Sequence, residues 1–83
     1  MNYKAKISIV GLGYVGLPLA VGFSSKYNVI GFDIDNTRII ELKKGVDRTK
    51  EVIRENQLNN KNLKFTNDPE DMKGSDFFII TVP

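Results

Sequence analysis

Three glycines lie within six positions of the stretch IVGLGYVGLPLA, at Gly11, Gly13 and Gly16. In this G-x-G-x-x-G spacing the first glycine permits a tight turn, and the second leaves room for a pyrophosphate against bare backbone. The third allows a helix to approach a sheet closely. A helix beginning here would direct unbonded N–H groups and a partial positive charge at the phosphates. Because glycine-rich turns also occur for packing alone, the neighbouring residues decide between the two interpretations.

An acidic residue, Asp33, ends the next apolar run, NVIGFD. Its distance from the glycines is close to the spacing of about 20 residues that dinucleotide-binding sites show. A carboxylate there accepts hydrogen bonds from both hydroxyls of the adenosine ribose and repels a 2′-phosphate, so we expect NAD rather than NADP. The alternative for Asp33 is a solvated acid or a helix cap, and Asp35 is the better candidate for capping. Arg38 fits two roles, an arginine at the adenosine edge of the site or a surface arginine paired with Asp35 or Glu41.

The elements that would position these residues follow from the apolar patterns. KISIVG reads as a strand buried on both faces, a helix runs from Tyr14 to about Lys26, and NVIGFD is a second strand. A second helix spans residues 37–44, is capped by Asp35 or Asn36 and stops at Gly45. Beyond it the sequence predicts a loop with one short helix, and then an asparagine-rich turn at residues 59–62. An edge strand, LKFT, follows. Either one helical turn or a loop over NDPEDMKGSD then leads to a central strand, FFIITVP.

Helical crossovers require parallel pairing, and the right-handed crossover rule then gives the strand order 3-2-1-4. The fold class is therefore α/β, a Rossmann-like doubly wound parallel sheet. Residues 1–83 would be the N-terminal part of such a domain, its first half plus one strand. With the last strand at one edge of the sheet, we expect an exposed apolar strand.

Composition removes several functions. The 83 residues contain no cysteine and no histidine, so we predict no catalytic residue and no metal site in this chain. The 12 basic and 10 acidic residues are interleaved, which argues against a nucleic-acid partner. The apolar runs are too short and too broken by glycine for a signal peptide or a membrane span, so we expect a cytoplasmic protein without membrane contact.

The motifs GLGYVGLPLA, GFDID, GVD and TVP together go beyond a general glycine fingerprint. From Lys6 onward the chain resembles the N-terminal NAD-binding region of the UDP-glucose/GDP-mannose dehydrogenase family, and the Tyr-Val pair between the second and third glycines is the most specific part of the resemblance. The segment GVDRTKEV is similar to the branch that acts on UDP-N-acetylhexosamines.

This resemblance implies an enzyme that oxidises the C6 alcohol of a UDP-sugar to a uronate with two equivalents of NAD, and that forms a homo-oligomer. Such enzymes hold the intermediate aldehyde on a cysteine. This chain has no cysteine, so we expect it to be a fragment whose catalytic and sugar-binding domains lie elsewhere. Carried over by position, the expected cofactor-binding residues are Gly11, Gly13, Tyr14, Val15, Gly16, Asp33, Arg38, Thr81, Val82 and Pro83.

Two other functions share part of this pattern. A flavin-binding oxidoreductase uses the same glycines and terminal acid, although Asp33, Asp35, Arg38 and the TVP strand argue against it. A regulatory domain that senses NAD without catalysis would need the same binding residues and no further chain. A purely structural α/β module is the simplest alternative.

Overall fold

The structure is a computed structural model that describes residues 4–45, 58 and 60–81. These residues form a parallel sheet whose strands lie in the order β3-β2-β1-β4. The strands are β1 (Lys6–Val10), β2 (Asn28–Phe32), β3 (Leu63–Thr66) and β4 (Phe77–Ile80). The helices are α1 (Gly16–Phe23), α2 (Asn36–Lys43) and a 3₁₀ helix (Pro69–Met72). The predicted fold class and strand order are confirmed.

One face of the sheet forms the apolar core with α1 and α2. The strand register places Ile7 beside Val29 and Ile9 beside Gly31, so alternate residues of neighbouring strands share this face. Each large aliphatic side chain buried here stabilises the fold by about 1.5–3 kcal/mol. The core consists of Ile7, Ile9, Leu12, Leu17, Ala20, Val29, Ile39, Leu42, Leu58, Leu63 and Phe65.

The connection from β3 to β4 is held by polar contacts at both of its ends. Ser8, fully buried in β1, shares a hydrogen bond of 2.5 Å with Ser75. Since the Ser75 hydroxyl donates to the Met72 carbonyl, Ser8 is the donor of this pair. Near β3, the Thr66 hydroxyl donates to the Asp71 carboxylate. Of the two alternatives predicted for this connection, a helical turn or a loop, the helical turn is found, as the 3₁₀ helix.

The prediction that FFIITVP forms a central strand is wrong for the described residues, in which β4 pairs with β1 alone. An apolar run is typical of a strand covered on both faces, but here Phe77, Phe78 and Ile80 are 60%, 56% and 71% exposed. The expected exposed apolar strand at the sheet edge is confirmed. LKFT, predicted as an edge strand, is β3 at the opposite edge.

The ends of α2 agree with the predicted ones to within one residue. Asp35 is its N-cap, because the Asp35 carboxylate accepts the backbone N–H of Arg38 at 3.2 Å. Gly45 follows the helix with φ +81°, a conformation that favours glycine, and its N–H donates to the Leu42 carbonyl.

Helix α1 is shorter than the predicted span of residues 14–26. It begins at Gly16, because residues 13–15 belong to the turn that leaves β1. It ends at Phe23, and hydrogen-bonded turns over residues 24–27 lead into β2. Helix α1, which holds the glycine loop against the sheet, therefore contains only eight residues.

The predicted short helix and loop fall on residues 46–59, of which only Leu58 is described. The asparagine-rich turn is confirmed where it is described, since the N–H of Leu63 donates to the Asn60 carbonyl at 2.9 Å. No helix within the described ranges has the length and apolar character needed to cross a lipid bilayer.

Candidate cofactor-binding site

The carboxyl ends of β1, β2 and β4 lie at the same end of the sheet and border a cleft of about 580 Å³. Open α/β sheets bind ligands at the carboxyl ends of their strands, and the volume lies in the range of small-molecule pockets. The cleft is lined by Gly11, Leu12, Gly13, Tyr14, Val15, Asp33 and Thr81. The structure therefore brings most of the predicted site residues together.

The three glycines differ in what they contact. Gly11 has φ +99°, and a Cβ added there would lie 2.7 Å from the Thr81 carbonyl oxygen. A Cβ on Gly16 would lie 1.7 Å from the Gly11 carbonyl oxygen, far inside van der Waals contact. A Cβ on Gly13 would meet no atom within 4 Å. The packing of the protein thus requires the first and third glycines, whereas the second borders space that a ligand can use.

The N-terminus of α1 is open to the cleft. Val15 stands at the N-cap without a side-chain capping bond, and the first turn contains no acid. Within the described ranges, the backbone N–H groups of Gly13, Tyr14 and Val15 donate no hydrogen bond. The side chains of Tyr14 and Val15 are 69% and 58% exposed. This arrangement matches the anion-binding helix terminus of dinucleotide sites.

Asp33 also lines the cleft and is held by two backbone groups. Its Oδ2 accepts the N–H of Leu12 at 2.9 Å, and its Oδ1 accepts the N–H of Asp35 at 2.9 Å. A carboxylate has about four acceptor sites, so it keeps capacity for two hydroxyl groups. The capping role that the sequence left open for Asp33 belongs to Asp35.

Thr81 connects the end of β4 to the glycine loop. Its hydroxyl is 2.9 Å from the Gly11 carbonyl oxygen and 3.2 Å from that of Val10. Its backbone N–H also donates to the Val10 carbonyl at 2.9 Å. Val82 and Pro83, predicted with Thr81, lie outside the described residues.

Arg38 is not the surface arginine that one interpretation predicted, because it is only 4% exposed. Its Nε donates to the Leu12 carbonyl oxygen at 2.8 Å. Sequence reasoning missed Leu12, whose N–H and carbonyl both bind charged side chains while its own side chain is buried. Since an apolar residue between two glycines gives no sign of its backbone partners, no sequence signal identifies this role.

The fold and the cleft define a dinucleotide-binding α/β domain, and comparison with known proteins is more specific. The CapL protein of Staphylococcus aureus is 58% identical over 77 residues, which are 93% of this chain and 18% of CapL. The UDP-N-acetyl-D-glucosamine 6-dehydrogenase of Salmonella typhi is 51% identical over 80 residues, 96% of this chain and 19% of that protein.

A solved UDP-D-ManNAc dehydrogenase from Pyrococcus horikoshii has a TM-score of 0.86 at 40% identity, covering 93% of this chain and 20% of that one. Residues 5–83 match the NAD binding domain of the UDP-glucose/GDP-mannose dehydrogenase family, and the chain belongs to that family. It spans about a fifth of the length of the relatives it matches.

Proposed function

We propose that residues 1–83 are the N-terminal part of the NAD-binding domain of a UDP-N-acetylhexosamine 6-dehydrogenase, which oxidises the C6 alcohol of its UDP-sugar to a uronate. The support is the 51% identity to a UDP-N-acetyl-D-glucosamine 6-dehydrogenase. The catalytic and sugar-binding domains would lie in further chain, as the coverage of about a fifth of such relatives suggests. The homo-oligomer and the cytoplasmic location expected from the sequence remain predictions.

The observation that carries the cofactor assignment is the space at Gly13, which lies beside loop N–H groups that donate no hydrogen bond within the described residues. Gly11 and Gly16 shape the turn, and the backbone of Gly13, Tyr14 and Val15 would hold the pyrophosphate. When bound, NAD supplies the hydride acceptor for the alcohol. The protein's part is to fix the loop and the helix terminus before the cofactor arrives.

The preference for NAD over NADP would rest on Asp33. Two backbone N–H groups fix its carboxylate at the rim of the cleft, where it would accept the ribose hydroxyls. A 2′-phosphate at the same place would bring like charges together, which costs affinity. Arg38, Thr81, Val82 and Pro83 complete the proposed cofactor-binding residues.

The family match supports the dehydrogenase over the flavin-binding and purely regulatory alternatives. The test is a calorimetric titration of the protein, expressed from its own reading frame, with NAD, NADP and FAD. We expect NAD to bind more tightly than NADP, and FAD to show no heat of binding. NADH formation is then followed with UDP-N-acetylglucosamine, UDP-N-acetylgalactosamine and UDP-glucose. Tighter binding of FAD than of NAD would contradict the cofactor assignment, and NAD binding without turnover of any of the sugars would contradict the activity.

A further inference from the structure

The peptide unit of Leu12 is held from both sides by charged residues. Its N–H donates to the Asp33 carboxylate at 2.9 Å, and its carbonyl accepts from the Arg38 Nε at 2.8 Å. The Leu12 side chain is 1% exposed. It packs beside Gly31, within contact distance of the position that a Cβ on Gly31 would occupy. Leu12 is therefore the fixed point of the glycine loop.

Arg38 is buried to an unusual degree for its type. Arginine is rarely fully buried unless it is paired, because removing its charge from water costs free energy. Here the side chain is 4% exposed and directs its Nε at the loop from the first turn of α2. A hydrogen bond from a charged donor is stronger than one between neutral groups.

The residues that follow Leu12 depend on its orientation. Because Gly13 has no side chain, and a Cβ there would meet no atom within 4 Å, its own packing does little to fix the loop. Glycine also has more conformational freedom to lose than any other residue. Fixing the Leu12 carbonyl fixes the start of the next peptide and so the direction of the following N–H groups. A loop held in its binding conformation binds more tightly, because less ordering remains to be done on binding.

We infer that Arg38 is a positioning residue, which acts through the Leu12 carbonyl to hold the glycine loop ready for the pyrophosphate. This rests on the proposed function, and it deepens it, since it assigns Arg38 to the pyrophosphate part of the ligand rather than to the adenosine. A direct contact of Arg38 with adenosine would instead make Arg38→Met weaken adenosine and ADP-ribose equally, since both contain the adenosine. The two can be separated with fragments of the cofactor.

The experiment compares ADP-ribose, which contains the pyrophosphate, with adenosine, which has no phosphate. Dissociation constants are measured by calorimetry and by ligand-observed NMR for the unaltered protein, Arg38→Met and Arg38→Lys. Lys43→Met, which removes an exposed charge from the same helix, is the matched control. Arg38→Met should weaken ADP-ribose about tenfold and change adenosine by less than about twofold. Arg38→Lys, which keeps one charged donor, should recover part of the loss.

Equal weakening of both ligands by Arg38→Met would overturn the inference and leave the proposed function intact. Failure of the unaltered protein to bind ADP-ribose would overturn both. If Arg38→Met does not fold, the Nε–H signal of Arg38 in the unaltered protein decides. A shift of this signal with ADP-ribose but not with adenosine supports the inference, and a shift with both ligands contradicts it.

Discussion

Helices α1 and α2 are each eight residues long and each follow a parallel strand, but their N-termini are built in opposite ways. Asp35 caps α2 and accepts the N–H of Arg38. At α1 there is no side-chain cap and no acid, and glycine takes the first helical position. A cap satisfies N–H groups within the protein, whereas an uncapped end leaves them for a ligand.

Close packing around the open N-terminus of α1 offsets the free energy lost by leaving its N–H groups without a cap. Gly16 is buried against the Gly11 carbonyl, and Thr81 and Leu12 anchor the loop on either side. Stability therefore comes from close backbone contact at α1 and from a side-chain cap at α2. This difference predicts which substitutions change folding and which change binding.

The largest effect is expected from Gly16→Ala. The new Cβ would lie 1.7 Å from the Gly11 carbonyl oxygen, so the helix must move off the loop. We expect a loss of about 3 kcal/mol or more in the free energy of unfolding, measured with urea. The matched control is Gly22→Ala in the same helix, where a Cβ meets nothing within 4 Å. It should gain about 0.5–1 kcal/mol, and a similar loss in both variants would contradict the close packing at Gly16.

Gly13→Val should affect binding and leave folding unchanged. The side chain enters the space proposed for the pyrophosphate, where a Cβ on Gly13 would meet no protein atom within 4 Å. We expect NAD affinity to fall about 100-fold while the unfolding free energy changes by less than about 0.5 kcal/mol. Gly22→Val, in the last turn of α1 and outside the cleft lining, is the control for the same substitution. Normal NAD binding by Gly13→Val would argue against this site.

Asp33→Ala should weaken NAD by about 1–3 kcal/mol, because hydrogen bonds to a charged group are lost, and should relax the discrimination against NADP. Asp35→Ala, two residues along, should leave the ratio of NAD to NADP affinity unchanged and lower the unfolding free energy by about 1 kcal/mol through loss of the α2 cap. Titrations with both cofactors measure the first effect. An unchanged ratio of NAD to NADP affinity in Asp33→Ala would remove the ribose assignment.

The smallest effect tests the charge at the open helix end. Val15→Asp places an acid at the positive end of the α1 dipole and should stabilise the free protein by about 0.3–1 kcal/mol. The same charge repels the phosphates, so NAD affinity should fall by a comparable amount. Val15→Asn, the neutral counterpart, should do less in both thermal denaturation and NAD titration. Equal effects of Asp and Asn would mean that charge at this end does not matter.

The sequence predicts the parts of this molecule that depend on local pattern. The strands, the Asp35 cap and the stop at Gly45 follow from apolar periodicity and residue type, and the right-handed crossover rule then gives the strand order. The burial of Arg38 does not, because spacing along a helix cannot show whether a long side chain turns toward solvent or a neighbouring loop. The edge position of β4 conflicts with the central strand that its apolar composition predicted, since composition shows that a strand could be covered and not which strands lie beside it.

The most direct measurement is amide hydrogen exchange by mass spectrometry, with and without saturating NAD, on the protein expressed from its own reading frame. It compares the two helix N-termini in one experiment. We predict that NAD slows exchange more over residues 11–17, where the loop N–H groups acquire a partner, than over residues 36–43, where Asp35 already caps the helix. Equal protection of the two regions, or stronger protection of residues 36–43, would contradict the assignment of the pyrophosphate to the open end of α1.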